Sequence, residues 1–534
     1  MMNKNNFNWL NLTPNILLKH LISKVTIFDK MILCSVFFIG FISHGIMLTN
    51  KISFHDDVHV MFGIGETYMS GRWFLGILSE FWNRHFGLYS LPLVNGIISF
   101  LFIALSACIL FRIFQLSDLI SCFMICSLMV VFPVVTSTFA YMFTAGYYFF
   151  SVFLMFLAAI LTIKYKRGGF IGILLIACSL GIYQAYFSII ATLFIMDLII
   201  KCMDENTNTL TTFKEAIKYF LTLLSGLILY LFINKIIINY KGLGLSSYQG
   251  INNIGTLSII QLFEGIKKAY ANYLSIISTD YLGLFHNGII HFCIILSNIC
   301  FLVISIWTLL KLGSTLKKLQ LFLYILLFPL AINFIEVMCA GNSTTIHTLM
   351  VYSVVFIFIW PFLLLEKIQT SINYKAGSLL NVFMLTIGKW FVIISTILTI
   401  LFYIFFNNEA YLKIQLLKEQ CNSYFTTLIT HIKSTDGYDD NLPLAFIGIN
   451  QDHSITDMPA FSNIEITAYD WNLNDWINDY AWQEYMALHC GYKPEIVEDT
   501  TQIASWEQVK HMDYYPNSNS IKIVDGIIVI KFSS

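Results

Sequence analysis

Asp56 and Asp57 stand side by side just after the first long apolar run, in KISFHDDVHVMFG (Lys51 to Gly63). An ionised group at bilayer depth costs about 2.5 to 3.5 kcal/mol when poorly hydrated, so charges held there are functional candidates by default. Ordinary solvation of a loop would explain any single Asp equally well. The company of the pair favours function, because His55, His59, Glu66, Arg72 and Arg84 all fall between residues 55 and 84. Arg72 lies in GIGETYMSGRWFLGILSEFW, which has apolar residues at roughly helical spacing but cannot span a bilayer. The segment reads as an amphipathic helix at the membrane interface, with Trp73 and Trp82 as interfacial aromatics. A guanidinium at headgroup depth can hold a phosphate through a bidentate fork. Carboxylates and a phosphate clamp together point to a lipid-phosphate substrate.

Two further constellations interrupt apolar stretches. In SLGIYQAYFSII, Tyr183 and Gln184 sit at a hairpin, where their polar groups either hydrogen-bond a sugar or satisfy the turn backbone. Glu336, in AINFIEVMCAGNSTTIHTLM, must be paired, protonated or facing a wet cavity, so a structural pairing and a site role are equally open. Lys235 and Asp197 lie near span ends and read as snorkelling or orienting residues. The sequence has no H-E-x-x-H, nucleophile elbow or Walker motif, and no cluster with convincing metal-ligand spacing.

The elements that position these residues are membrane helices. The 534 residues are 57% hydrophobic and 12% charged, with a mean hydropathy of +0.71, which describes a polytopic membrane protein. A net charge of -1 and the lack of a basic stripe exclude nucleic acid as a partner. The 11 cysteines form no C-x-x-C pair, and most act as small hydrophobes within apolar runs. No cleavable signal peptide is expected, and the first span is a retained anchor.

Apolar runs predict spans at 31–50, 91–112, 119–137, 139–163, 169–185, 186–200, 219–238, 289–310, 320–337, 347–365 and 389–406. Turns inside the near-continuous stretches are read from Pro133, Gly146 and Tyr183-Gln184. With the N-terminus inside, the inward segments hold more than half of the 31 Lys and Arg residues, the positive-inside pattern. About eleven transmembrane helices then put the 51–90 loop and the C-terminus outside. The expected division is a cytoplasmic segment 1–30, a transmembrane domain 31–406 and a periplasmic C-terminal domain 407–534. In the last, NLPLAFIGI reads as a buried strand, IKIVDGIIVIKF as a hairpin turning at Asp525-Gly526, and the segment around Trp471, Trp476 and Trp482 as helix. That makes it a small mixed α/β domain.

The DD after the first span, the GRW at 71–73, the GIYQAYFSI hairpin and an outward C-terminal domain together resemble the type II Gtr glucosyltransferases, over roughly 31–406. These serotype-converting membrane enzymes attach glucose to lipopolysaccharide O-antigen. The resemblance implies a GT-C type glycosyltransferase in the bacterial inner membrane, using undecaprenyl-phosphate glucose as donor and O-antigen as acceptor. A donor synthase and a flippase act upstream. A carboxylate in the first outward loop is the base expected from the family, which maps onto Asp56 or Asp57. The chemistry agrees, since an acceptor hydroxyl is a poor nucleophile until a base takes its proton. The second Asp would hydrogen-bond the sugar or stabilise the oxocarbenium-like charge, and the two roles are not separable from sequence. The leaving lipid phosphate would be held by Arg72 and Arg84, with no metal or other cofactor needed, and direct displacement inverts the anomeric carbon. His55, Glu66, Tyr183, Gln184 and Glu336 complete the expected substrate-binding set. One departure is the loop GNSTTIHTLM, where the family pattern expects a basic residue and the chain offers only His347.

Two rival readings share parts of this pattern. A lipid-linked sugar flippase would place charges deep in several spans and show internal repetition. Another polyprenyl-phosphate-dependent glycosyltransferase, or an O-antigen polymerase, would share the donor logic.

Overall fold

A computed structural model describes residues 13–52, 55–59, 67–87, 90–204, 207–246, 257–278, 314–339, 350–371, 379–450 and 480–534, with isolated positions between 288 and 303 and at 477 and 478. The chain is a helical membrane protein. Among the described residues, eight helices are long and apolar enough to cross a bilayer. In chain order the elements used below are α1 (Ile27–Thr49), α2 (His55–His59), α3 (Trp73–Phe86), α4 (Pro92–Phe114), α5 (Leu119–Val131), α6 (Pro133–Ala140), α7 (Met142–Lys164) and α8 (Gly168–Leu180). They continue with α9 (Phe187–Met203), α10 (Thr209–Lys241), α11 (Ile259–Ser278), α12 (Thr315–Ile332), α13 (Phe334–Met338), α14 (Phe356–Ser371), α15 (Leu379–Lys433) and α16 (Trp482–Cys490). The predicted span 289–310 falls outside the described stretches.

Local chemistry fixes the helix ends. Thr26 and Asp29 form a capping box that starts α1, and Arg112 at the end of α4 reaches Asp29 at 2.9 Å, so two antiparallel neighbours share one charge. Pro92 and Pro133 sit at first helical positions, where a missing N–H costs nothing. Pro133 therefore restarts a helix within one span, and the turn into the next comes at Tyr141. Gly146, expected as a turn, lies inside α7, because a glycine is tolerated in a helix whose neighbours supply the packing.

Close approach and buried polar pairs hold the bundle together. Gly40 of α1 meets the ring of Phe100 of α4, where a Cβ would stand 2.8 Å from the ring carbon. His44 is held between the Tyr411 hydroxyl at 2.6 Å and the Val130 carbonyl at 2.8 Å. Asn407 donates to Ser43 and to the Val131 carbonyl and accepts from Thr136. These contacts lock α15 onto α1 and onto the α5–α6 break, whose freed backbone carbonyls they satisfy.

The helix expected to end at 406 continues to Lys433. Beyond the apolar segment, its buried residues Tyr411, Ile414, Leu417, Cys421, Phe425, Leu428 and Ile432 recur every three or four positions, an amphipathic stripe rather than a membrane run. The strands β1 (Leu444–Ile447), β2 (Ile521–Val524) and β3 (Ile527–Lys531) make one sheet in the order β1-β3-β2. β1 pairs in parallel with β3, and β2 and β3 form the expected hairpin. Asp525 and Gly526 have φ of +49° and +76°, the two left-handed positions of a tight two-residue turn.

Candidate active site

The chain leaves α1 through Lys51 and enters the single turn α2, which buries Asp57 and leaves Asp56 half-exposed. The Asp57 carboxylate receives the Lys51 ammonium, the Ser90 hydroxyl and, at 3.1 Å, the backbone N–H of Phe143 in the first turn of α7. Lys51 also donates to Ser90 Oγ at 2.7 Å. A carboxylate at a helix start gains from the helix dipole as well as from these donors. Burial, with repulsion from Lys418, holds the Lys51 ammonium down at about 7. Asp57 thus ties together the loop after α1, the approach to α4 and the start of α7.

Asp56 faces the other way. It accepts from the Tyr480 hydroxyl, just ahead of α16. His59 Nδ1 lies 3.4 Å from Glu484 Oε1, and its ring meets Tyr480 edge-on at 5.3 Å. α16 is anchored in turn by Tyr485, whose hydroxyl donates to Asn422 at 2.7 Å on α15. Residues 480–490 therefore lie against the carboxylate turn. His55 opens α2, and Glu66 lies outside the described residues.

The second part of the site is built where two sequence motifs meet. Gly71, with φ of +70°, turns the chain into α3, and the N–H groups of Phe74 and Leu75 donate to the Gly181 carbonyl at 2.8 and 3.1 Å. Gln184 Nε2 donates to the Ser70 carbonyl at 3.1 Å and to the Tyr230 hydroxyl at 3.0 Å, and Tyr230 donates to the Gly71 carbonyl at 3.1 Å. Any side chain at 71 would meet that Tyr230 hydroxyl at 2.7 Å. The joint aims Arg72 inward, with Nη1 at 3.3 Å from the Tyr148 hydroxyl and the guanidinium 4.8 Å above the Tyr183 ring.

Asp57 and Arg72 both contact the N-terminal part of α7. Asp57 holds the N–H of Phe143 and Arg72 holds the hydroxyl of Tyr148, positions five residues apart and so about 7.5 Å along the helix. Arg84 is not brought to this group, since it lies exposed on the last turn of α3, about 18 Å along the axis from Arg72. Glu336, buried on α13, accepts from Asn272 at 2.7 Å and lies 3.6 Å from Lys268, both on α11. Among the described residues, no three His, Cys, Asp or Glu side chains converge as a metal-ligand group.

Residues 45–358, more than half of the chain, match the family described as Glucosyl transferase GtrII. The chain belongs to this family. It is a glycosyltransferase of the GtrII kind, acting with a sugar donor and an acceptor, and the matched stretch contains both the carboxylate turn and the joint between residues 71–73 and 181–186. No curated protein and no solved structure shows significant similarity to the chain. Within this GtrII chain the residues that sequence reasoning passed over are Lys51, Ser90, Tyr148, Tyr230 and Asn234. The signal for the last two was present, because Tyr230 and Asn234 are one helical turn apart in a run that is otherwise apolar apart from Lys235.

Proposed function

We propose that this enzyme moves a glucosyl group from undecaprenyl-phosphate glucose to lipopolysaccharide O-antigen at the periplasmic face of the bacterial inner membrane. The observation that supports the reading is that Asp57 and Arg72 both contact the N-terminal part of α7, the first through the N–H of Phe143 and the second through the hydroxyl of Tyr148.

In this reaction the acceptor oxygen attacks the anomeric carbon while the bond from that carbon to the phosphate oxygen breaks. The electron pair leaves with the lipid phosphate, which Arg72 holds, and the acceptor proton passes to a carboxylate. Asp56 suits the role of base because it is half-exposed and held by a hydroxyl that an acceptor hydroxyl can replace. Asp57 suits a supporting role, since its oxygens already receive an ammonium, a hydroxyl and an N–H. Direct displacement inverts the anomeric configuration. Residues 31–406 form the membrane catalytic part and 407–534 the periplasmic part in this reading, with a donor synthase and a flippase acting upstream.

The test is sugar transfer by purified protein, with lipid-linked glucose and lipopolysaccharide acceptors, for wild type, Asp56→Asn and Asp57→Asn. Loss of transfer in a folded Asp56→Asn protein supports the assignment. Full transfer by both variants rejects carboxylate catalysis at this turn.

A further inference from the structure

α10 is buried at Thr212, Tyr219, Thr222, Gly226, Tyr230, Asn234 and Ile238, so one stripe of a mostly outward-facing helix faces the bundle. Near its end lie two amide oxygens with no hydrogen-bond partner among the described residues, Oδ1 of Asn234 and Oε1 of Gln184. Neither is solvated, because the two residues are 6% and 1% exposed. The orientation of Gln184 follows from its neighbour. The Ser70 carbonyl can only accept, so the atom 3.1 Å from it must be the NH₂, and the oxygen is the atom left over. Both amides border the joint that aims Arg72, since a Cβ on Gly71 would lie 3.1 Å from Gln184 Nε2 and 3.7 Å from Asn234 Nδ2.

Buried acceptors are almost always matched by donors, and leaving one unmatched is costly. Two together, at the joint from which Arg72 projects over the Tyr183 ring, call for a ligand with hydroxyl donors close to an anion. We propose that Asn234 and Gln184 are the hydroxyl-reading subsite for the donor sugar. A glycosyl phosphate places its phosphate on Arg72 and donates two ring hydroxyls to Asn234 Oδ1 and Gln184 Oε1. The role of Asn234 is specificity, and the identity of the ligand rests on the function proposed above.

Asn234→Leu in the full-length protein tests this, because leucine fills the same space and removes the unmatched oxygen. A structural asparagine would lower the melting temperature when replaced. A ligand-reading one leaves it equal or higher. With lipid-linked glucose, KM is expected to rise about tenfold, the worth of one hydrogen bond. One monodeoxy-glucose donor should then react equally well with wild type and variant, because the hydroxyl that meets Asn234 is already gone. An unchanged KM, or equal losses with every deoxy donor in both proteins, overturns the proposal. Thermal shift with glucose 1-phosphate provides a readout that needs no turnover. If wild type transfers no sugar, the functional reading fails on its own, and the subsite stands only if glucose 1-phosphate stabilises wild type and not Asn234→Leu. Equal stabilisation of both, or of neither, rejects it. Should Asn234→Leu fail to fold, Asn234→Ala carries the same measurements.

Discussion

Gly181 lies directly beneath the indole of Trp73, so close that a Cβ there would stand 2.6 Å from the ring. This contact and the two backbone hydrogen bonds to the Gly181 carbonyl weld the segment at 71–75 to the hairpin at 181–186. Gly181→Ala must push the rigid indole away, with an overpacking cost of about 1–3 kcal/mol. Thermal unfolding should show that loss. Sugar transfer should fall with it, although no charged group has been touched, because Arg72 is aimed by this joint.

The two aspartates should separate cleanly by stability. Asp57→Asn leaves the Lys51 ammonium beside a neutral amide in a largely buried place, and breaking a buried pair costs about 3 kcal/mol. Adding Lys51→Met to that variant should restore much of the melting temperature without restoring transfer. Asp56→Asn, at a half-exposed position, should melt like wild type. A matched loss of stability in Asp56→Asn would show that both carboxylates are structural.

Arg72→Lys keeps the charge and discards the planar fork that lies over Tyr183 and reaches Tyr148. If the guanidinium holds the donor phosphate, the lysine variant should raise KM for the lipid-linked donor at least about tenfold. The KM for the acceptor should stay near the wild-type value. Equal effects on the two substrates would point instead to general loosening of the site.

Docking of α16 should weaken in acid. Burial, then Lys418 and Lys51, hold His489 down at about 4, below its ordinary 6.5. Between those values the unfolded segment binds more protons than the folded one, so stability falls as pH drops from 6.5 to 4. The hydrogen-exchange protection factors over 482–490, corrected for the intrinsic slowing of exchange in acid, should fall across that window. His489→Phe, which cannot titrate, should flatten the response.

Much of this architecture is legible in the sequence, and the rest is hidden for a physical reason. The polar interruption at Tyr183-Gln184 and the Asp525-Gly526 turn are local signals that fall where local chemistry puts them, and among the described residues eight apolar helices are long enough to span. The amphipathic stripe that carries α15 to Lys433 is also local, but it was masked by the drop in hydropathy after 406. The sealing of Asp57 has no such signature. Its partners Lys51, Ser90 and Phe143 come from three separate parts of the chain, and each reads alone as an ordinary loop or helix residue. Arg72 and Arg84 look equivalent in sequence, yet three helical turns separate a buried ring contact from an exposed terminus. Glu336, open between pairing and chemistry, has a pairing partner set on α11 that its own segment could not reveal.

The unbroken α15 acts as a ruler. From 406 to Lys433 it continues for 27 residues, about 40 Å of rigid rod, without a proline or glycine to bend it. β1 follows shortly after its end, so the position of the sheet along the rod depends on this residue count together with the contacts that dock α16 on α15 and on α2. Inserting or deleting a single residue in this rod would also rotate the sheet by about 100° around the helix axis. Length and azimuth are therefore coupled, and natural variation in the rod is expected in steps of whole turns.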